Sequence, residues 1–171
     1  MNDNRQKEEV ARRVRFALDA SKQPYEIMPC DPALADTADF CAHYGIPPAN
    51  SANTILVKAK SGGERFVACV LLADSKLDVN RTVRKRLGAR RVSFASAEET
   101  HRLSGMAIGG VTPVALPPGL PLWVDARVMQ ADYVILGAGV REAKVKVSPE
   151  LFRTFPQAEI VDGLAIPVDD A

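Results

Sequence analysis

The sequence predicts an α/β fold built on a mixed, largely antiparallel sheet surrounded by short helices. Three observations carry that prediction. "NTILVKAKSGGERFVACVLL" reads as two strands, near 54–59 and 65–72, joined by Ser61-Gly62-Gly63, the clearest hairpin signal in the chain. "AKVKV" at 143–147 alternates apolar and charged residues with the period of two that a half-buried strand requires. Hairpin signals also interleave with short helical segments in place of a regular strand–helix repeat, which argues against a doubly wound parallel sheet.

The elements follow in order. Val10, Val14, Ala17 and Leu18 share one face of a terminal amphipathic helix over about 6–20, with Arg12, Arg13 and Arg15 elsewhere on it. Asp36 or Thr37 can cap a second helix that stops at Gly45 and Pro47-Pro48. After the hairpin, a short helix starts at Asp78 or Asn80 and runs through Leu87, with Gly88 where a left-handed C-terminal residue belongs. "RRVSF" is a strand, and Ser96 with Glu99 forms an S-x-x-E capping box for a helix to about Leu103. Residues 104–128 then hold four glycines and four prolines within a largely apolar stretch. "LPLWVD" and "DYVILG" are further strands, and Ser148-Pro149 caps a last short helix after "AKVKV".

The 171 residues are expected to form a single domain spanning 1–171, able to bury roughly two-thirds of the unfolded surface. Composition is that of a globular protein, 47% hydrophobic and 25% charged with a net charge of +1. No apolar run reaches the ~18 residues of a membrane helix, and the polar start "MNDNRQKEEV" does not read as a secretory signal, so no membrane partner is expected. Cys30, Cys41 and Cys69 fall outside any CxxC spacing and read as reduced thiols of a cytoplasmic protein. His43 and His101 have no partner at metal-ligand spacing, so neither a metal nor a cofactor is expected.

The sequence contains no GxSxG elbow, Cys-His signature, phosphate loop or HExxH helix. "GMAIGG" at 105–110 lacks the flanking strand and helix of a dinucleotide site, and the Gly137-Ala138-Gly139 turn is explained by a hairpin. What remains is backbone chemistry at Gly109-Gly110-Val111-Thr112-Pro113. Two residues without side chains let amides approach a ligand, and proline stiffens the chain beyond them. That stretch is either a tight structural turn or a cradle for a carbonyl oxygen or oxyanion.

Electrostatics offers a second feature. From Lys76 to Arg91 seven cations, among them Arg81, Arg84, Lys85, Arg90 and Arg91, stand against Asp78 alone, a net +6 that leaves −5 for the remainder. This segment is either a solvated helix face or a phosphate-contacting surface. The near-neutral total argues against a general DNA-binding protein, and no DNA partner is expected.

The succession "ANTILV", "LDVNRTVRKRLGARRVSFASAEETHRLSGMAIGGVTP", "LPLWVD", "YVILGAG" and "KVSPELF" resembles the YbaK family, the fold of the bacterial prolyl-tRNA synthetase editing domain and its free-standing relatives. The similarity covers roughly residues 35–163. It implies a trans-editing aminoacyl-tRNA deacylase that hydrolyses the ester of a mischarged small amino acid at the acceptor end. An aminoacyl-tRNA synthetase is a further candidate partner. The resemblance makes Gly109 to Pro113 the aminoacyl pocket, with Asn53 and Thr54 beside it. It also groups Asp125, Gly137, Ala138 and Gly139 with the substrate contacts and gives the basic segment to tRNA. Such an ester needs no protein nucleophile, because positioned water can suffice with help from the terminal ribose hydroxyl or the substrate's side chain.

In the family the strand matching "NTILV" begins with lysine; here that position is Asn53. Asparagine hydrogen-bonds but carries no charge. Lys58 shares parity with Thr54 and so faces opposite to Asn53, while Lys60 lies near the turn. The alternatives are therefore a catalytically silent relative that binds without hydrolysing, or an enzyme acting on a small ester without RNA. Thr112 can line the pocket through its hydroxyl, His101 reads as an exposed helix residue, and Trp123 reads as core.

Overall fold

A computed structural model describes residues 2–168; Met1 and residues 169–171, the ends of the single-domain span expected above, lie outside the described residues. The helices are α1 (Asp3–Ala20), α2 (Thr37–Tyr44), α3 (Arg84–Leu87) and α4 (Ala97–Ser104). The strands are β1 (Tyr25–Pro29), β2 (Ala52–Ala59), β3 (Arg65–Leu72), β4 (Ser75–Leu77), β5 (Val92–Phe94), β6 (Leu122–Asp125), β7 (Val134–Gly137), β8 (Ala143–Val147), β9 (Ala158–Val161) and β10 (Ala165–Pro167).

They form a five-stranded sheet in the order β5-β2-β3-β6-β9, a three-stranded sheet β1-β8-β7 and a two-stranded ribbon β10-β4. The expected hairpin is β2-β3, in register from Ala52 opposite Leu72 to Ala59 opposite Arg65. The β3-β6 and β6-β9 contacts are parallel and the other pairings between strands are antiparallel, which makes the sheet system mixed and largely antiparallel.

Period-two alternation gives the large sheet two apolar faces. Ala52 and Leu56 of β2, with Ala68, Val70 and Leu72 of β3, join the main cluster. Val57, Ala59, Val67, Cys69 and Leu71 join a second cluster on the opposite face. Val10, Val14 and Leu18, spaced at i, i+4 and i+8, carry α1 into the main cluster, and each such burial stabilises by about 1.5–3 kcal/mol. Val134, Leu136, Val145 and Val147 bring the three-stranded sheet into the same cluster. A parallel bridge between Ser51 and Ile135 joins the start of β2 to β7. Phe40 and Cys41 of α2 pack in a third, smaller cluster with Cys30, Ala35 and Ile135.

Several boundaries differ from the sequence reading. α1 begins at Asp3, because the Asn2 side chain caps it, and not near residue 6. The helix expected from Asp78 opens as a π-type turn over Val79–Val83, with Asp78 Oδ2 accepting from the Thr82 amide at 3.4 Å and the Thr82 hydroxyl at 2.9 Å. The segment after Ser148 is a 3-10 helix, Pro149–Thr154. β1, β4, β9 and β10 were not expected.

The capping box is formed: Ser96 Oγ accepts from the Glu99 amide at 3.0 Å, and Glu99 Oε1 accepts from the Ser96 amide at 3.1 Å. Lys58 donates to the other Glu99 oxygen at 2.7 Å, so its ammonium and the Ser96 amide hold the Glu99 carboxyl down to about 2. Ser96→Ala is expected to cost about 0.5–2 kcal/mol, read as a lower chemical-denaturation midpoint with unchanged slope.

Candidate functional site

A cavity of about 260 Å³ lies where α2, the start of β2, the ends of β7 and β8, and the loop after α4 converge. That is smaller than the ~300 Å³ at which sites for drug-sized ligands begin, and it suits a group of a few heavy atoms. Thr54 and Leu56 come from β2, Thr37 and Phe40 from α2, Gly109 and Val111 from the loop, and Lys144 from β8.

The loop is held by backbone contacts that only glycine permits. A Cβ on Gly137 would lie 2.2 Å from the Val111 carbonyl oxygen, and one on Gly110 would lie 2.7–2.9 Å from the Val140 backbone. The Gly139 amide donates to the Gly110 carbonyl at 2.7 Å, and the Gly110 amide donates to the Ala107 carbonyl at 2.9 Å. Arg141 closes the mouth. Its Nη1 donates to the Ile108 carbonyl at 2.7 Å and to Asp36 Oδ1 at 3.0 Å, while Nε and Nη2 reach the Pro32 carbonyl at 3.0 and 2.8 Å.

The residues expected at the site therefore separate into groups. Asn53, Thr54, Gly109, Val111 and Gly137 line the cavity. Gly110, Thr112 and Pro113 do not; they are buried behind it and brace the loop. Thr112 is fully buried, and its Oγ1 accepts from the Val114 amide at 3.3 Å. Ala138 and Gly139 are buried away from the cavity, with Gly139 serving as donor to the loop.

Asp125 stands as a correction. It ends β6 with the parity of Trp123, which packs in the second cluster, whereas Leu122 and Val124 face the main one. The residue is 1% exposed, its Oδ1 accepts from the Ala165 amide at 3.3 Å, its Oδ2 has no partner among the described residues, and it does not line this cavity. The basic segment is also separate: Val83, Leu87 and Ala89 seat it on the second cluster. Arg81, Lys85, Arg90 and Arg91 are exposed there, Arg84 is half-buried with its Nε on the Asn80 carbonyl at 2.8 Å, and Arg86 pairs with Glu159.

The polar inventory of the cavity wall is short. Among the described residues, the Gly109 and Val111 amides have no hydrogen-bond partner, and neither does the buried Thr54 hydroxyl. The Gly109 and Val111 amides are thus donors without a protein acceptor, and the Thr54 hydroxyl is a buried polar group left unpaired. Thr37 Oγ1 donates to Asn53 Oδ1 at 2.5 Å, which ties Asn53 to α2. Among the described residues no histidine or cysteine lines the cavity.

Lys144 was missed by the sequence reading. Its residue is 7% exposed, and its Nζ donates to the carbonyls of Ala35 and Gly109, each at 2.8 Å. Burial pulls its pKa below the ordinary lysine value. The strand pattern gives Lys144 the same appearance as Lys146, which is exposed. No local signal separates the two.

The candidate site is thus a small cavity lined in part by loop backbone, with no histidine or cysteine among its described lining residues. The chain belongs to the aminoacyl-tRNA editing domain family, whose pattern matches residues 31–155. It is 29% identical over 107 residues to a proline–tRNA ligase of Bacillus licheniformis, a match covering 63% of this chain and 18% of the ligase's length. The crystal structure of a hypothetical protein superposes with a TM-score of 0.79 at 26% identity, over 90% of this chain and 99% of the other. The structure of a proposed trans-editing enzyme for prolyl tRNA synthetase superposes at 0.74 with 22% identity, over 90% and 95% of the two chains. At that identity the second similarity speaks to the fold alone.

Two substitutions check this geometry. Gly110→Ala is expected to shift the loop and cost about 1–3 kcal/mol through overpacking against Val140, measurable as a lower Tm. Burial raises the pKa of Asp125 above 3.8, so the stability it contributes is present below 3.8 and is lost as pH rises through the raised folded value. Asp125→Asn should remove that part of the pH dependence of Tm while leaving ligand binding at the cavity unchanged.

Proposed function

We propose that this protein is a trans-editing aminoacyl-tRNA deacylase that hydrolyses a small mischarged amino acid from the acceptor end of tRNA. The observation that carries the reading is the cavity of about 260 Å³, whose wall includes Gly109 and Val111, two loop residues with unpaired amides. Membership of the editing-domain family supports it.

The chemistry follows from the ester. Water adds to the aminoacyl carbonyl carbon, and negative charge gathers on the carbonyl oxygen. The bond to the terminal ribose oxygen then breaks, and that oxygen takes a proton from the attacking water. The products are the free amino acid and a tRNA with its hydroxyl restored. Fixed amides aimed at the developing oxyanion contribute on the order of 3 kcal/mol each in sites of this kind. Phe40, Leu56 and Ile135 line the space for the amino-acid side chain, and its small volume favours small residues. Arg81, Arg84, Lys85, Arg90 and Arg91 contact acceptor-stem phosphates in this reading, and the reaction takes place in the cytoplasm alongside an aminoacyl-tRNA synthetase.

The test is a panel of mischarged tRNAs incubated with the purified full chain at several salt concentrations. Hydrolysis of one or more small aminoacyl esters is expected, with an apparent affinity that falls as salt rises. If none is hydrolysed while tRNA still binds, the protein is a binding module and the deacylase reading fails. Turnover of a small free ester that is insensitive to salt would remove tRNA from the reading.

A further inference from the structure

Asn53 brings no charge to the cavity, and the acidic group at its mouth, Asp36, is paired with Arg141 at 3.0 Å and 61% exposed. Of the two charged residues that line the cavity, Lys144 is therefore the one without an ionic partner. Among the described residues no carboxylate lies within ion-pair distance of it. The Phe40 ring, 5.3 Å away, and two carbonyl oxygens are what it has in place of a counterion.

An ammonium carries three donors. Two are committed to Ala35 and Gly109, and the third has no partner among the described residues. A buried cation without a counterion is costly to maintain and attracts any electron-rich atom that enters. It also repels a ligand's own ammonium. The α-amino group of an aminoacyl ester is thus directed away from Lys144, while the ester carbonyl is drawn toward it. The bond from Lys144 to the Gly109 carbonyl fixes this cation next to the loop whose Gly109 and Val111 amides are unpaired.

We propose that Lys144 is a catalytic residue whose third N–H hydrogen-bonds the carbonyl oxygen of the bound aminoacyl ester. This rests on the deacylase reading. When water adds to the carbonyl carbon, the carbonyl π electrons move onto that oxygen, and the Lys144 ammonium meets the charge without giving up its proton. The electrons return as the bond to the ribose oxygen breaks, and the proton from water goes to the ribose.

The experiment has two arms on the full chain. In the first, single-turnover deacylation of the best mischarged tRNA is compared for wild type, Lys144→Met and Lys144→Arg, with folding checked by circular dichroism. Folded Lys144→Met should lose about 100-fold in rate. A rate within about threefold of wild type overturns the assignment. In the second arm, the Lys144 Nζ nitrogen resonance is followed while adding an aminoacyl-adenosine whose ester is replaced by an amide. The resonance should move at saturation with this analogue and stay in place with adenosine alone; no movement with the analogue overturns the assignment. If wild type hydrolyses no tRNA, the deacylase reading fails. If Lys144→Met does not fold, its rate is uninformative. In either case the second arm alone decides whether Lys144 contacts the ligand carbonyl.

Discussion

The site depends on a close approach between two backbones. The loop at 109–113 passes so near the turn at 137–140 that the Val111 carbonyl occupies the space of a Gly137 side chain, and the Val140 backbone occupies that of Gly110. The Gly139 amide then bonds the Gly110 carbonyl. Contacts of this kind are stiff, because neither partner has rotamers to relax into. The loop is fixed by Gly110, Thr112 and Pro113, which are buried, while Gly109 and Val111 are left at the cavity wall with unpaired amides. Rigid scaffold and available donor thus come from neighbouring residues of one segment, which is what electrostatic preorganisation requires.

Lys144 and Arg141 complete the frame from the same hairpin arm. Arg141 ties Ile108, Pro32 and Asp36 together at the mouth, and Lys144 ties Gly109 to Ala35 inside. Both cations bond carbonyls on either side of the opening, so the loop and the segment before α2 are cross-linked at two depths. Placing a charge at the deeper of these links is unfavourable for folding, and an uncharged side chain such as methionine could fill the same volume. Two of its N–H groups hold the loop to the segment before α2, and the third is the one that this bracing leaves unused.

Much of the architecture was legible because its causes are local. The capping box at Ser96 and Glu99, the left-handed Gly88 and the β2-β3 hairpin are each specified within a few residues. β9 and β10 are short and lack alternation, and the parallel β3-β6 pairing joins segments some fifty residues apart, beyond any local pattern. The same limit applies to the site. Asn53, Thr54, Gly109 and Val111 sit at the cavity because motif order specifies them. Asp125 shows what order cannot specify: it lies near the right place in the chain, but strand parity turns it to the other face of the sheet. For Lys144 alternation was actively misleading, since a lysine on the face opposite Val145 and Val147 resembles a solvated residue until α2 covers it.

The separation of the basic segment from the cavity constrains how an RNA could use both. α3 and the π-type turn before it rest on one face of the five-stranded sheet, while Thr54 and Leu56 open onto the other. β5 lies between them at the sheet edge, pairing with β2 over three residues. Ala95, just past β5, borders the cavity, while Phe94 and Val92 border a second hollow that includes Lys76 and Arg81. The path from the exposed cations to the cavity therefore runs around this short edge, past Phe94, a residue that is 56% exposed. Phosphates held by Arg81 or Lys85 would leave the terminal nucleotide to turn across the edge, and an exposed aromatic ring is the surface on which an unpaired base stacks. A double-stranded stem cannot make that turn. Under the proposed deacylase reading, an RNA held at the basic segment would therefore have to reach the cavity through a flexible single-stranded end.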